Sequence, residues 1–101
     1  MITYIDPLSA LADPTRRQLY ARLRRRPHAV GELAKALKIT QPAVSQHLSV
    51  LKKARLVQSR AEGTKRLYQP DPKGLARLRA DVDKMWTDVL GTYADSFKDI
   101  Q

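Results

Sequence analysis

Apolar residues recur three and four positions apart along much of the chain, which is the spacing of amphipathic helices. In the centre, Val44, Leu48 and Leu51 form one such row. Thr40 before this row is a good N-cap residue, and Pro42 stands in the first turn, where proline is tolerated. The stretch from Thr40 to Leu51 therefore predicts a helix that buries one face and exposes another.

The exposed face of this helix carries small, amide and hydroxyl side chains. At about 100° per residue, the side chains that point away from the buried row are Pro42, Gln46, Ser49 and Lys53, with Ala43 and Ser45 beside them. Such residues let a helix approach base edges, because glutamine pairs with adenine and alanine or proline can touch a thymine methyl group. An ordinary amphipathic helix with a solvated polar face has the same pattern, so the flanking segments decide between the two interpretations.

The segment before residue 30 predicts another helix. Asp13 is a good N-cap before Pro14, a favoured first helical residue, and Leu19 and Leu23 continue an inward row. The helix should end before Pro27, because proline disfavours helical geometry in the residue that precedes it.

A third helix is predicted from about Gly31 to Lys38, where apolar residues again recur at helical spacing. Only Ile39 and Thr40 separate it from the central helix. Two helices joined by so short a turn are typical of the helix-turn-helix motif, in which the first helix braces the second against the DNA backbone. The central helix is then the recognition helix.

After Ala54 the apolar spacing changes from helical to extended. Residues 56–61 and 65–69 predict two short strands, and Glu62-Gly63-Thr64 predicts a glycine turn between them. Three cations, Arg60, Lys65 and Arg66, cluster near the tip of this hairpin, where they could reach phosphates or a narrow minor groove. A hairpin in this position is a wing.

The last predicted helix runs from about Pro72 to Asp95 and carries a broad apolar stripe. A small domain would leave much of this stripe exposed, which favours pairing with a second copy of the chain. The alternative is a helix that folds back on its own domain. Together with a short helical turn near the N-terminus, the predicted dimer interface comprises Leu8, Leu11, Leu78, Val82, Met85, Trp86, Val89 and Tyr93.

The charge of the chain is concentrated in its middle. The net charge is +9, and residues 14–70 contain 14 Lys and Arg residues against two acidic residues. Such a distribution favours a nucleic acid or an anionic membrane as partner, although a solvated basic surface is common. The chain lacks a long basic helix with bulky aromatic residues, which disfavours the membrane.

Length and composition exclude several other classes. A chain of 101 residues predicts a single domain over residues 1–101, with a DNA-binding core at 14–70 and dimerisation segments at 1–13 and 72–97. It has no cysteine, no secretion signal and no apolar run long enough to span a membrane, so we expect a cytoplasmic protein. Two histidines and no phosphate-binding loop leave no plausible catalytic set, and we expect neither an enzyme nor a cofactor.

Two functions remain, DNA binding and protein binding through the basic face of a winged helix. A helix that docks on a protein should expose aromatic or bulky apolar anchors, and the outward face of the central helix has none. This favours double-stranded DNA as the partner. The residues predicted to contact it are Thr40, Gln41, Pro42, Ala43, Ser45, Gln46, Ser49, Lys53, Arg60, Lys65 and Arg66.

Three segments, ADPTRRQLYARL, VGELAKALKITQPAVSQHLSVLKKARLV and SRAEGTKRLYQP, together resemble the ArsR/SmtB family of winged helix-turn-helix repressors over residues 10–70. The motif residues that carry the resemblance are Ser45, His47, Leu48, Leu56, Val57 and Gly63. The resemblance implies a dimeric bacterial repressor, mainly α-helical with a small β-hairpin. It also implies that the first and last helices form the dimer interface and that the recognition helices enter the major groove.

The chain departs from the family pattern in two ways. Many members sense a metal through cysteines or through Asp, His and Glu on the last helix, whereas this chain has only His28 and His47, and its last helix has no histidine. We therefore predict a metal-independent member, with His47 in a structural role, and the sequence identifies no effector. The second departure is Arg55, where the family usually has glycine. Either Arg55 adopts a left-handed conformation at a cost of about 1 kcal/mol, or the recognition helix ends differently.

Overall fold

The computed structural model describes residues 4–100, and the side chains of residues 4–92. It confirms the mainly α-helical winged helix-turn-helix fold. None of the helices in the described part is long and apolar enough to cross a membrane. The elements are α1 (Pro7–Ala10), α2 (Pro14–Leu23), β1 (His28–Ala29), α3 (Val30–Leu37), α4 (Gln41–Lys53), β2 (Val57–Glu62), β3 (Lys65–Pro70) and α5 (Pro72–Ile100).

The helix starts are set by the predicted caps. Asp13 Oδ1 accepts hydrogen bonds from the backbone N–H groups of Thr15 and Arg16 at 2.8 and 3.1 Å, which fixes the start of α2. The hydrogen bond from Arg16 is the main reason that the pKa of Asp13 lies below its ordinary value. Thr40 Oγ1 accepts from the backbone N–H of Ala43 at 3.2 Å and starts α4 in the same way.

The sheet is larger than the predicted hairpin. β1 pairs with β3 in an antiparallel arrangement, with His28 opposite Tyr68 and Ala29 opposite Leu67, so the strand order is β1-β3-β2. A strand of two residues has no alternating pattern to detect, which is why the sequence did not predict it. The turn is also one residue shorter than predicted, because Glu62 pairs with Lys65.

The hydrophobic core lies between α2, α3, α4 and the sheet. Each helix contributes its predicted apolar row, and the start of β2 closes the core next to the end of α4. Packing of these rows holds α4 with its opposite face outward. Among the described residues, the large side chains that are almost completely buried are Pro7, Leu19, Leu23, Leu33, Val44, Leu48, Leu51, Leu56 and Val57.

Arg55, the second departure from the family pattern, adopts the left-handed conformation at the end of α4. Its φ is 58°, so it is left-handed, and α4 ends just before it at Lys53. The N–H of Leu56 donates to the carbonyl of Leu51 at 3.0 Å, and the N–H of Arg55 donates to the carbonyl of Lys52 at 2.9 Å. These are the two hydrogen bonds of a Schellman motif, and the side chains of Leu51 and Leu56 are both buried beside them. Arg55 therefore takes the place of the usual glycine without changing the helix end.

Candidate nucleic-acid interface

The two faces of α4 differ as the sequence predicts. Val44, Leu48 and Leu51 are buried, with exposed fractions of 0 to 1%. Of the predicted reading residues in α4, only Ala43 is half-buried, and the exposed ones are Gln41, Pro42, Ser45, Gln46, Ser49 and Lys53. The exposed face is thus continuous along the helix and free of bulky apolar side chains.

The N-terminal end of α4 favours an anionic partner. Its first turn contains no acidic residue, whereas Lys52 and Lys53 lie in its last turn. Unpaired N–H groups and the helix dipole make such an N-terminus attractive to phosphate. The start of α3 lies next to the start of α4. A Cβ atom placed on Gly31 would be 3.7 Å from Nε2 of the Gln41 side chain.

The wing presents its three predicted cations with different partners. All three side chains are exposed. Arg60 forms an ion pair with Glu62 at 3.5 Å and donates to Gln69, and Arg66 donates to Ser59 Oγ at 3.1 Å. The side chain of Lys65 forms neither a hydrogen bond nor an ion pair with any residue that the structure describes. Lys65 is therefore the wing cation most available to a phosphate.

The wing tip depends on Gly63. The turn between the strands consists of Gly63 and Thr64, and Gly63 has a φ of 61°. Thr64 is not among the residues with positive φ, so the turn has the pattern of type II′, which favours glycine at its first central position. This turn keeps Lys65 and Arg66 at the end of the hairpin.

Lys52 is a cation of this surface that the sequence reasoning missed. Its Nζ lies 3.5 Å from Ser59 Oγ, the same atom to which Arg66 donates. Lys52 thus links the end of α4 to the wing and makes the basic surface continuous between them. The helical period contained the signal, because Lys52 is seven residues after Ser45 and so lies on the same face of α4.

The predicted dimer residues fall into two groups. Leu11 and Leu78 pack partly against the core. Further along α5, Met85, Trp86 and Val89 are 48%, 61% and 49% exposed, and Leu90, next to them, is 56% exposed. Leu8 is exposed, Val82 is half-buried, and the side chain of Tyr93 lies outside the described residues. Between Met85 and Leu90, α5 therefore carries an apolar face that the described part of the chain leaves exposed.

The neighbourhood of the histidines contains no arrangement typical of a metal site. No group of three His, Asp or Glu side chains within the described residues could hold a metal ion. His28 is buried, and its Nδ1 donates to the backbone carbonyl of Arg26 at 2.7 Å. His47 is half-buried on α4 beside the buried row.

This arrangement of core, recognition helix and wing is shared with known regulators. The profile of the family described as "Bacterial regulatory protein, arsR family" matches residues 13–59. The HTH-type transcriptional regulator Rv2034 of Mycobacterium tuberculosis is 57% identical over 97 residues, which cover 93% of this chain and 91% of that protein. The chain belongs to the ArsR family.

Solved structures of ArsR-like regulators have the same fold. One described as a possible transcriptional regulator for arsenical resistance is 41% identical, with a TM-score of 0.77, and the match covers 91% of this chain and 96% of that one. Another is the homodimeric winged helix-turn-helix DNA-binding domain of Mb0332 from Mycobacterium bovis. It is 32% identical with a TM-score of 0.66, and the match covers 81% of this chain and 76% of that one. The ArsR match thus includes the wing and much of α5.

Proposed function

We propose that this ArsR-family chain represses transcription as a homodimer that binds an imperfect palindrome. Its two copies of α4 enter successive major grooves, with half-site centres about 10 base pairs apart or a multiple of that. Residues 14–70 form the DNA-binding core, and residues 1–13 and 72–97 form the dimer interface. The regulator works without a metal ion.

One observation carries the DNA-binding part of this proposal. The face of α4 opposite the buried row is exposed from Gln41 to Lys53 apart from the half-buried Ala43, and it carries no bulky apolar side chain. The basic wing lies beside this face. A protein-docking helix needs apolar anchors in the same place. The binding of an acidic protein partner is therefore less well supported than the reading of bases.

The dimer is supported by the uncovered face of α5 and by the homodimeric solved relative. Four large apolar side chains between Met85 and Leu90 are about half exposed or more. Contiguous apolar surface of this kind marks an interaction site on a soluble domain. A second copy of α5 offers the same apolar face, as a two-fold symmetric interface requires.

The test is a footprint on the DNA upstream of the protein's own gene, followed by binding measurements on the protected site and on random duplex. Gln46→Ala and Ser45→Ala should each weaken cognate binding by about 1–3 kcal/mol and leave random binding nearly unchanged. Thr87→Ala, which removes an exposed hydroxyl group on α5, is the control and should change neither. Equal losses on both duplexes would show that Gln46 and Ser45 do not read bases.

A further inference from the structure

A second basic surface lies at the end of α2, away from the recognition helix. Arg22, Arg24, Arg25 and Arg26 are all exposed there, and His28 follows them. Two adjacent grooves share Arg22 and Arg25 in their walls. One is completed by Gln18, Ala21 and Arg24, and the other by Arg26 and His28. We refer to these two grooves together as the α2 groove.

The cations of the α2 groove are largely uncompensated. Arg26 pairs with Glu32 at 3.0 Å. The side chains of Arg22, Arg24 and Arg25 make no hydrogen bond or ion pair with any residue that the structure describes. Guanidinium groups bind phosphate oxygens in a fork-like geometry, and several together suit an anion with more than one negative charge. The groove therefore has the chemistry of a polyanion site.

The position of the α2 groove separates it from the wing tip. His28 lies opposite Tyr68, four residues from the turn residue Thr64. At about 3.3 Å per residue, this is roughly 13 Å along the strand. β1 runs toward the wing tip, so the arginines that precede His28 lie farther from the tip than His28 does. The wing can reach DNA without bringing these arginines to the same phosphates.

A carboxylate also interrupts the basic surface between the α2 groove and the recognition helix. Glu32 stands in the first turn of α3, next to Gly31, which lies against Gln41 at the start of α4. The pKa of Glu32 is lowered by the backbone N–H of Ala29 and by Arg26, so this side chain is ionised at neutral pH. Its negative charge disfavours a DNA phosphate at this boundary. A small anion in the groove does not have to cross it.

We propose that the α2 groove binds a small molecule or ion that carries at least two phosphate-type groups, and that this ligand weakens DNA binding. The second half of this statement rests on the proposed function. Arg26 connects the α2 groove to α3. A ligand that draws the guanidinium group of Arg26 away from Glu32 removes one of the two hydrogen-bond partners of the Glu32 carboxylate. The other partner is the N–H of Ala29 at the start of α3, the helix that braces α4.

The first experiment measures binding without DNA, so that it does not depend on the proposed function. Titration calorimetry with inorganic pyrophosphate at fixed ionic strength should show saturable binding of one ligand per chain. Arg22→Gln/Arg25→Gln should lower the affinity at least about tenfold, since two charged hydrogen-bonding groups are lost. The control Arg79→Gln/Lys84→Gln removes the same charge from α5 and should change the affinity less than about twofold.

All four substituted side chains are exposed, and circular dichroism checks that both variants remain folded. Absence of saturable pyrophosphate binding, or an equal loss of affinity in both variants, would overturn the site.

The second experiment adds pyrophosphate to the protein–DNA complex, with sodium chloride as the ionic-strength control. Wild-type affinity for DNA should fall at least about threefold more than that of Arg22→Gln/Arg25→Gln. If this variant instead keeps pyrophosphate binding but has a flatter salt dependence on DNA, the arginines contact DNA and the proposal is wrong.

Discussion

Gly74 in the first turn of α5 lies directly against the backbone of Arg55, the left-handed residue that ends the recognition helix. A Cβ at position 74 would overlap the carbonyl group of Arg55 and lie 2.7 Å from the amide nitrogen of Leu56. Backbone atoms cannot move aside as a flexible side chain can. Glycine at this position therefore allows α5 to start directly against the end of α4, so the long C-terminal helix is joined to the recognition helix by a backbone contact.

The first prediction follows from this contact. Gly74→Ala should lower the free energy of unfolding by at least about 2 kcal/mol, because the added methyl group has no space. Urea denaturation at a fixed protein concentration measures the change. Gly91→Ala is the matched control, because among the described residues nothing lies within 4 Å of a Cβ there. That variant should be more stable than wild type by about 0.5–1 kcal/mol, since alanine favours a helix. Similar effects at both positions would contradict the contact.

The second prediction concerns Arg55 itself. A non-glycine residue in the left-handed region destabilises the folded state by roughly 1–2 kcal/mol. Glycine removes this strain, but part of the gain is offset because glycine loses more conformational entropy on folding. We expect Arg55→Gly to raise the free energy of unfolding by about 0.5–1 kcal/mol. Lys53→Gly, two residues earlier and still helical, should lower it by about 1 kcal/mol. Thermal and urea unfolding check both signs, and a destabilised Arg55→Gly variant would show that the Arg55 side chain stabilises the turn.

The third prediction is a pH dependence that arises from Glu32. Its pKa is lowered mainly by the hydrogen bond from the backbone N–H of Ala29, and further by Arg26. A carboxylate whose pKa is lower in the folded state stabilises the protein above its unfolded pKa, and this stabilisation is lost as the pH falls through the folded pKa. Glu32→Gln should therefore lower the melting temperature at about pH 6, and the difference from wild type should shrink below about pH 4.

The control for this experiment is Glu62→Gln, which removes an exposed wing carboxylate that caps no helix. Its difference from wild type at about pH 6 should be smaller than that of Glu32→Gln, because exposed ion pairs contribute little. A Glu32→Gln variant that keeps the same difference from pH 6 to pH 3 would contradict the role of the ionised Glu32.

The main fold was predictable because its signals are local. Asp13 and Thr40 are side-chain caps, and Val44, Leu48 and Leu51 follow at helical spacing, so the recognition helix and its outward face could be predicted without coordinates. β1 could not be predicted, since two residues carry no period and their strand exists only through pairing with β3. The close approach of Gly74 and Arg55 was also out of reach. It joins residues 19 positions apart, and nothing in the local sequence of either one indicates the other.

The site could be predicted in part for the same reason. Residues on the exposed face of α4 follow from the helical period alone. The hydrogen bond from Arg66 to Ser59 does not, because it crosses from β3 to β2 and so depends on the register of the two strands. The exposed state of Trp86 likewise depends on where α5 leaves the rest of the domain.

The fourth prediction concerns the dimer. Trp86→Glu places a charge in the uncovered apolar face of α5, where burial against a second copy would be costly. We expect a monomer in sedimentation at about micromolar concentration and at least about tenfold weaker DNA binding. Ala80→Glu adds the same charge on the opposite face of the helix and should remain dimeric with unchanged affinity. A Trp86→Glu variant that stays dimeric would place the interface elsewhere.

The fifth prediction concerns the phosphate contacts of two wing cations, Lys65 and Arg66. Lys65 is unpaired among the described residues, so Lys65→Ala should weaken binding to cognate and random duplexes alike. It should also reduce the slope of log affinity against log salt concentration by about 0.9, because one fewer counterion is released. Lys84→Ala on α5 removes the same charge and should leave the slope unchanged. A slope that Lys65→Ala does not alter would show that this lysine does not contact a phosphate.

Arg66 tests whether a wing cation serves DNA or the fold. Its guanidinium group donates to Ser59, and Tyr68, on the same face of the hairpin, packs against the core. If Arg66 contacts a phosphate, Arg66→Ala flattens the salt dependence by about 0.9 as Lys65→Ala does, and the melting temperature changes little because the hydrogen bond to Ser59 is exposed. We expect this result. A large fall in melting temperature with an unchanged salt slope would instead assign Arg66 to holding the hairpin against the domain.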